Sequence, residues 1–301
     1  MWSRRQFSFP KMKIYPQESA FNFLGLEKQN LKKAKVLILP ILFEQTSSNL
    51  LGTKFGPEAI ILASKNLETF DEDLKKEILE ESIFTLPFFS PSKDSPQKAL
   101  KEIERAVFKI LKLKKFLVVL GGEHTITFGV LSAFKKFFKK DFSLLQFDAH
   151  CDLRESFEGT KFSHACVARR ILKDLKIKIC QVGVRSLSKE EFNFLKRERK
   201  VKVFFKRNFD KKEILNFLGK RVYLTIDIDC LDPSLMPAVS CPEPEGLFFE
   251  DVLEIVKEVS KEKEIVGMDL VELCPIPGIF SPNFVCAKLI FKILGILGLI
   301  F

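Results

Sequence analysis

Short apolar runs alternate with helix-like stretches along most of this 301-residue chain. The runs are rich in Val, Ile, Leu and Phe, which is typical of strands that are buried on both faces of a sheet. Between them, apolar residues recur at intervals of three and four, the spacing of an amphipathic helix. The pattern predicts about eight strands, at residues 35–41, 82–88, 116–120, 143–147, 177–182, 201–205, 221–226 and 265–268.

Strands that alternate with helices predict an α/β domain with three layers, in which a parallel sheet of about eight strands lies between two layers of helices. The chain has no internal repeat, no low-complexity linker and no break in composition. We therefore expect a single domain over residues 35–301, preceded by an N-terminal arm and lead-in over residues 1–34.

Acidic residues and histidines follow directly after several of the predicted strands. The carboxyl ends of parallel strands meet at one edge of a sheet, where loops converge on a crevice, so these side chains are expected to lie close together. The six candidates for metal binding are His124, Asp148, His150, Asp152, Asp227 and Asp229.

Four carboxylates and two imidazoles combine hard oxygen donors with nitrogen, a mixture that suits Mn, Fe or Zn better than Ca. Six ligands are too many for one catalytic ion but suit two divalent ions that share bridging carboxylates. Such ions lower the pKa of a water molecule towards neutrality, whereas without cations the carboxylates would repel one another. The interpretation depends on the whole set, because Asp227 and Asp229 alone are more typical of a turn or a helix cap.

The net charge of +10 does not by itself indicate a nucleic-acid-binding protein, because the lysines and arginines are spread over helical stretches and form no long basic tail. The apolar segment 284–301 contains Lys288 and Lys292 and is too short after them to span a bilayer. It predicts a terminal helix that packs on the sheet or on a neighbouring subunit. No membrane partner is expected.

Seven cysteines without a CxxC pair, in a chain without a recognisable secretory leader, predict reduced thiols and a cytoplasmic protein. Several cysteines lie next to the candidate metal ligands. No histidine outside the candidate set is free to activate a thiol as a nucleophile, so we interpret these cysteines as small packing residues.

Three segments, in this order, resemble the signature segments of the ureohydrolases, the arginase/agmatinase family: GGEHT at 121–125, DAHCD at 148–152 and DIDCLDP at 227–233. Other stretches are similar to the same family, two of them (163–166 and 242–247) to its agmatinase branch. The resemblance covers roughly residues 35–295.

This resemblance implies two Mn²⁺ ions per subunit and the hydrolysis of a guanidino group to urea and an amine. It implies that residues 35–301 form the catalytic domain, and it suggests a homo-oligomer, a trimer or a hexamer. Transferred position by position, one ion would be held by His124, Asp148, Asp152 and Asp227, and the other by Asp148, His150, Asp227 and Asp229.

The resemblance also suggests roles in catalysis. Asp152 would take up the proton of the attacking water and pass it to the leaving amine. Glu272 would pair with the planar guanidinium, which favours a carboxylate partner. His164 lies where the family has a substrate-loop histidine and would be a proton shuttle, or alternatively only an anchor of that loop.

The chain departs from the agmatinase pattern at residues 236–241, and Glu245 stands where a glycine is usual. An extra carboxylate there, beside Glu243, favours a long or strongly cationic amine and disfavours the α-carboxylate of arginine. The sequence thus predicts a cationic guanidino substrate, with agmatine, giving putrescine and urea, as the main hypothesis.

Several alternatives remain open at this point. One is N1-aminopropylagmatine, giving spermidine, and another is a different guanidino or formimino compound such as guanidinobutyrate or formiminoglutamate. The same fold also carries single-zinc deacetylases, against which six candidate ligands argue. An inactive metal-binding relative is disfavoured because Glu272 and His164 accompany the complete ligand set.

Overall fold

Eight parallel strands form the central sheet of the computed structural model, which describes residues 21–139 and 142–301. Each of the eight predicted strands is present in it, with bounds that differ by a few residues. The ten strands of the described chain are β1 Val36–Pro40, β2 Phe70–Asp71, β3 Lys76–Glu77, β4 Ile83–Thr85, β5 Phe116–Leu120, β6 Ser143–Phe147, β7 Lys178–Val184, β8 Val201–Phe205, β9 Arg221–Asp227 and β10 Glu264–Val271. Only β2 and β3 lie outside the sheet, as a small antiparallel hairpin that the sequence pattern did not predict.

Helices cover both faces of this sheet, so the predicted three-layer α/β class is confirmed. They are α1 Gly56–Ser64, α2 Pro96–Leu111, α3 Ile126–Phe138, α4 Val167–Asp174, α5 Lys189–Leu195, α6 Lys211–Phe217, α7 Phe249–Glu262 and α8 Ser281–Ile296. One core cluster joins the sheet to α1, α6, α7 and α8, and a second joins it to α2, α3, α4 and α5. Successive residues of β5 lie in opposite core clusters: Val118 belongs to the first cluster and Val119 to the second.

Local sequence signals set several helix starts. Ser95 caps α2, since its hydroxyl accepts the backbone N–H of Lys98 at 3.2 Å, and Pro96 occupies the first turn. Ser188 and Glu191 form a capping box at the start of α5. The predicted terminal helix is α8, which is largely buried and packs against α1 and α7.

The N-terminal lead-in is described only from residue 21 onwards, so residues 1–20 of the predicted arm lie outside the described residues. Within residues 21–34, Phe23, Leu24 and Leu26 are buried in the first core cluster. The boundary at residue 34 stays a prediction.

The strand order, β4-β1-β5-β10-β9-β6-β7-β8, decides where a site can form. β5 and β6 follow one another along the chain but are separated in the sheet by β10 and β9. Open α/β sheets form a crevice at the carboxyl ends of strands where the order changes in this way. The loops after β5, β10, β9 and β6, four adjacent strands, carry the residues of the candidate metal centre.

Candidate metal centre

His124 reaches the centre from the turn after β5. A Cβ atom on Gly122 would lie 2.1 Å from the backbone oxygen of Phe43, so only glycine allows the turn to pack this closely. His124 is buried, and its Nδ1 atom lies 3.3 Å from an oxygen of Asp148 and 3.2 Å from oxygens of Asp152 and Asp227. Residues from the ends of three strands therefore meet at one imidazole nitrogen.

The segment after β6 supplies the largest share of the candidate ligands. Asp148 accepts a hydrogen bond from Nε2 of Gln146 at 2.7 Å and from the backbone N–H of His150 at 2.6 Å, so its carboxylate is held in one orientation. Asp152 has a φ of +53°, a left-handed conformation that is unusual for a residue with a side chain. Such conformations persist where the surroundings hold them, and they are frequent at functional sites.

The end of β9 supplies Asp227 and Asp229. Asp227 accepts the backbone N–H of Asp229 at 3.0 Å, which starts a 3₁₀ turn. Asp229 accepts the backbone N–H of Ala149 at 3.0 Å, and its other oxygen lies 2.9 Å from Nδ1 of His150. The β6 and β9 loops are thus joined through the candidate ligands themselves.

Five of the six candidates form two adjoining groups, and the sixth, Asp227, belongs to neither, although it lies 3.2 Å from Nδ1 of His124. In each group, the atoms that could bind a metal ion lie within 4.8 Å of one another. Asp148 belongs to both groups, as expected of a bridging carboxylate. The groups are His124, Asp148 and Asp152, and Asp148, His150 and Asp229.

The hydrogen bonds of His124 test whether a cation fits here. Its Nε2 lies 3.1 Å from the hydroxyl of Thr225, and that hydroxyl donates its only proton to Asp269. The Thr225 oxygen must therefore accept from Nε2–H, so Nδ1 carries a lone pair in the neutral ring and a second proton in the charged ring. Nδ1 is buried without a hydrogen-bond partner and faces the oxygens of Asp148 and Asp152. Burial lowers the pKa of His124, but Asp148, Asp152 and Asp227 together raise it well above its usual range, so a proton or a metal ion fits between Nδ1 and these carboxylates.

The pKa values of the candidate ligands also indicate that the cluster has too little positive charge for its carboxylates. Burial, followed by the charge of Asp148, raises the pKa of Asp152 to about 7. Burial, followed by the charges of Asp229 and Asp148, raises the pKa of Asp227 well above its usual range. Although burial opposes it, Asp229 raises the pKa of His150 to about 11. Without metal ions, the cluster can lower its charge only by holding protons, which divalent cations would displace.

A cavity of about 300 Å³ opens onto the cluster, and its walls include Ser48, His164 and Glu272. Glu272 follows β10 and has a φ of +66°, and its carboxylate accepts the backbone N–H of His124 at 2.6 Å. Burial, followed by the charge of Glu123, raises the pKa of Glu272 well above its usual range. The cavity therefore places one more buried carboxylate beside the candidate metal ligands.

His164 lies in the wall of the same cavity. Its Nε2 is 3.4 Å from the hydroxyl of Ser48, and its ring meets that of Phe157 edge-on at 5.7 Å. Burial lowers the pKa of His164, so the imidazole is mainly neutral at pH 7. A neutral imidazole can accept a proton, which suits the predicted proton shuttle, and its bond to Ser48 also suits the alternative of a loop anchor.

Glu243 and Glu245 are not among the residues that line this cavity. Glu245 is exposed, has a φ of +64°, and pairs through its carboxylate with Lys206. Glu243 is half-buried, and its backbone oxygen accepts hydrogen bonds from Arg185 at 2.8 and 3.1 Å. Substrate binding by the two carboxylates stays a prediction.

Sequence reasoning missed several residues that support the centre. The guanidinium of Arg185 donates to the backbone oxygens of Asp229 at 2.7 Å and Leu231 at 3.2 Å, besides that of Glu243, and so fixes the turn that carries Asp229. Thr225 and Asp269 orient His124, as described above. A detectable signal was present for Asp269, an acid in the middle of an otherwise apolar run.

The cysteines near the centre form no disulfide among the described residues. Cys151 and Cys230 are buried, and burial raises the pKa of both thiols above the usual range. Thiols in this state are poor nucleophiles, which agrees with a packing role. Over residues 21–139 and 142–301, no helix combines the length and the apolar character needed to cross a bilayer.

Comparison with known proteins identifies the family. The family model described as "Arginase family" matches residues 34–295. An N(1)-aminopropylagmatine ureohydrolase of Synechocystis is 35% identical over 276 residues, which are 88% of this chain and 90% of that protein. An agmatinase of Pyrococcus horikoshii is 33% identical, over 90% of this chain and 95% of its own. The crystal structure of an agmatine ureohydrolase of Thermoplasma volcanium matches with a TM-score of 0.80 at 29% identity, over 94% of this chain and 96% of that one. The chain belongs to the arginase family and is a hydrolase of its ureohydrolase type.

Proposed function

We propose that this protein is a binuclear manganese ureohydrolase that releases urea from agmatine or from its N1-aminopropyl derivative. The observation that carries the proposal is the pair of metal-competent groups that share Asp148 and lie beside Glu272 at one cavity. Two cation sites and a guanidinium-binding carboxylate in one cavity are what this hydrolysis requires.

The residues present fit two divalent cations. One would be held by His124, Asp148, Asp152 and Asp227, and the other by Asp148, His150, Asp227 and Asp229. Bound divalent cations supply a water-derived nucleophile at neutral pH, because they lower the pKa of water from 15.7 towards ~7. Manganese is our choice because carboxylate oxygens outnumber imidazole nitrogens in this set.

Glu272 would bind the guanidinium through both oxygens in the plane of that group. Its position is fixed from two sides, since its carboxylate accepts the N–H of His124 at 2.6 Å and its backbone N–H donates to the oxygen of Gly122 at 2.8 Å. The guanidinium carbon would thus be held close to the cations, and a positive substrate would offset the negative charge of the cavity.

Two groups would move protons in this reaction. The carboxylate of Asp152 would take the proton that the attacking water loses and deliver it to the nitrogen of the leaving amine as the carbon–nitrogen bond breaks. Burial favours the protonated form of this carboxylate, as a group that receives a proton needs. His164, in the wall of the same cavity, would exchange a proton between the departing amine and solvent.

The relatives bear on the choice between the two substrates. Proteins named N(1)-aminopropylagmatine ureohydrolase from Synechocystis, Thermus thermophilus and Thermococcus kodakarensis are 34–36% identical to this chain. Proteins named agmatinase are 32–33% identical. N1-aminopropylagmatine is therefore kept as the second candidate substrate, because the relatives named for it are slightly more similar to this chain than those named agmatinase. Either product, putrescine or spermidine, is a polyamine.

A side-by-side assay tests the proposal. The purified protein is loaded with Mn²⁺, and urea release is measured from agmatine, N1-aminopropylagmatine, arginine and guanidinobutyrate. We expect urea from one or both of the first two, and its loss in Asp148→Ala but not in Asp174→Ala, which alters an exposed acid away from the cavity. Urea mainly from arginine or guanidinobutyrate would overturn the substrate class. No urea from any of the four, with manganese bound, would overturn the proposed reaction.

We also propose that the protein is a cytoplasmic homo-oligomer, a trimer or a hexamer. The free cysteines support a reducing compartment. A cavity lined by Leu62, Phe280 and Phe284, all exposed, supports a contact between subunits at α1 and α8. Light scattering coupled to size exclusion measures the mass directly, and a mass of about 35 kDa would contradict this assembly.

A further inference from the structure

The proposed reaction leaves one buried acid of the site without a role. Glu123, the residue before His124, is fully buried. One oxygen of its carboxylate accepts the backbone N–H groups of Gln45 at 2.8 Å and Thr46 at 2.7 Å. The other oxygen accepts the hydroxyls of Thr46 and Thr125. The acid therefore ties the loop of residues 44–49 to the turn that carries His124.

Thr46 extends this connection to a second loop. Because its hydroxyl donates to Glu123, the lone pairs of that oxygen are free to accept, and the backbone N–H of His164 donates to it at 3.3 Å. Two residues further along, the hydroxyl of Ser48 lies 3.4 Å from Nε2 of His164. Both the backbone and the ring of His164 are thus held by the loop that Glu123 fixes.

The loop has little freedom to shift against the turn. The backbone N–H of Glu123 donates to the oxygen of Phe43 at 2.9 Å. At Gly122 the two segments approach so closely that a Cβ atom would lie 2.1 Å from that same oxygen. The distance from the metal-binding turn to His164 is therefore set by a short chain of direct contacts.

We propose that Glu123 and Thr46 are positioning residues that hold His164 and Ser48 in the cavity wall opposite the metal-binding residues. The kinetic consequence of this inference rests on the proposed function. The inference adds to that function the residues that hold His164 and Ser48 in position. Neither residue lines the cavity, so both act through His164 and Ser48. A shift of about 1 Å in a positioned group can lower the rate about 100-fold.

Thr46→Val tests the proposal, because it removes the hydroxyl and nearly keeps the shape, whereas Thr46→Ser keeps the hydroxyl. Thr85→Val is a matched control, since the Thr85 hydroxyl also accepts a backbone N–H, that of Phe23 at 3.0 Å, and lies on the edge strand β4. We expect Thr46→Val to lower kcat/KM about 10-fold to 100-fold. Thr46→Ser and Thr85→Val should stay within about 2-fold of the wild type, and bound manganese should not change in any of them.

Two further measurements decide whether Thr46 acts by positioning His164. In a His164→Ala background, the loss caused by Thr46→Val should be clearly smaller than in the wild type, since His164, one of the two groups that Thr46 positions, is already missing. Amide hydrogen exchange over residues 160–166 should become about 10-fold faster in Thr46→Val and remain unchanged in Thr46→Ser.

An equal loss in both backgrounds would show that Thr46 does not act through His164, and would overturn the proposal. Unchanged exchange in Thr46→Val would overturn it as well. The exchange experiment needs no substrate, so it decides the structural part even if the wild-type protein releases no urea. A failure of the proposed function is thus distinguishable from a failure of this inference.

Discussion

Two clusters of buried charge in this molecule differ in what neutralises them. In one, Lys292 of α8 extends its ammonium to Asp71 at 3.2 Å, Glu72 at 3.0 Å and Asp73 at 2.7 Å. Lys292 is 6% exposed and Asp71 is fully buried. Burial opposes the charged lysine, but the three acids raise its pKa above the usual value. This cluster is balanced by the chain itself, and it joins α8 to the β2–β3 hairpin.

The candidate metal centre gathers more buried carboxylates, and no lysine or arginine of the described residues pairs with its four aspartates. The side-chain ion-pair partners of these aspartates are instead histidines. A buried charge that the chain itself pairs needs no further partner, whereas a buried charge left unpaired indicates a cation from outside. The comparison therefore separates a structural cluster from a functional one by charge balance alone.

The largest expected effect is that of Asp148→Ala, because Asp148 belongs to both metal-binding groups. We expect a fall in kcat of about 10³-fold or more, together with loss of bound manganese. The metal-free variant should be at least as stable as the metal-free wild type, because the change removes one of several carboxylates that repel each other. Urea release, metal analysis and thermal unfolding check the three parts. A marked loss of stability in the metal-free state would contradict the contrast between the clusters.

Lys292→Met is the corresponding change in the balanced cluster. It leaves Asp71 buried and without its cation, which typically costs about 3–5 kcal/mol in the free energy of unfolding. Denaturant unfolding measures this cost, and adding Asp71→Asn should recover part of it. Manganese binding should be unchanged in the folded fraction. Reduced metal binding in folded Lys292→Met would show that the two clusters are not independent.

Metal affinity should depend on pH in the direction set by the protons that the cluster holds. The pKa of Asp152 is raised to about 7 and that of His150 to about 11, so the metal-free centre is partly protonated at neutral pH. Metal binding must release these protons, and affinity should therefore rise with pH. We expect manganese to bind at least about 10-fold more tightly at pH 8 than at pH 6. Calorimetry in buffers of different ionisation enthalpy measures both the affinity and the protons released. An affinity that is independent of pH would contradict this electrostatic description.

Much of the fold could be predicted from the sequence, because strands buried on both faces must be continuous apolar runs. The runs at β5, β6 and β9 gave nearly the observed bounds, and the side chains that follow them do converge. Strand order could not be predicted in this way. The insertion of β10 between β5 and β9, which brings Glu272 to His124, depends on contacts between residues far apart in the chain.

The supporting residues of the site were hidden for a related reason. Thr225 lies within an apolar strand, and its role appears only when β9 lies beside β10, which carries Asp269. Glu123 was visible only as part of a motif, since its partners come from a loop nearly eighty residues earlier in the chain. Residue type and strand position thus predicted which groups converge as candidate metal ligands, and only the three-dimensional contacts revealed what orients them.

The smallest expected effect is that of Glu245→Gln. The sequence predicts substrate binding by Glu245, whereas in the structure its carboxylate is exposed, pairs with Lys206 and does not line the cavity. Exposed ion pairs contribute little to stability, so the melting temperature should change by no more than about 2 °C. We expect KM for agmatine and for N1-aminopropylagmatine to stay within about 2-fold of the wild type, with Glu272→Gln as the contrasting variant that raises it strongly. An increase of about 10-fold for the longer amine alone would instead place Glu245 at the cationic tail of the substrate, and would show that its pairing with Lys206 is exchanged for the substrate.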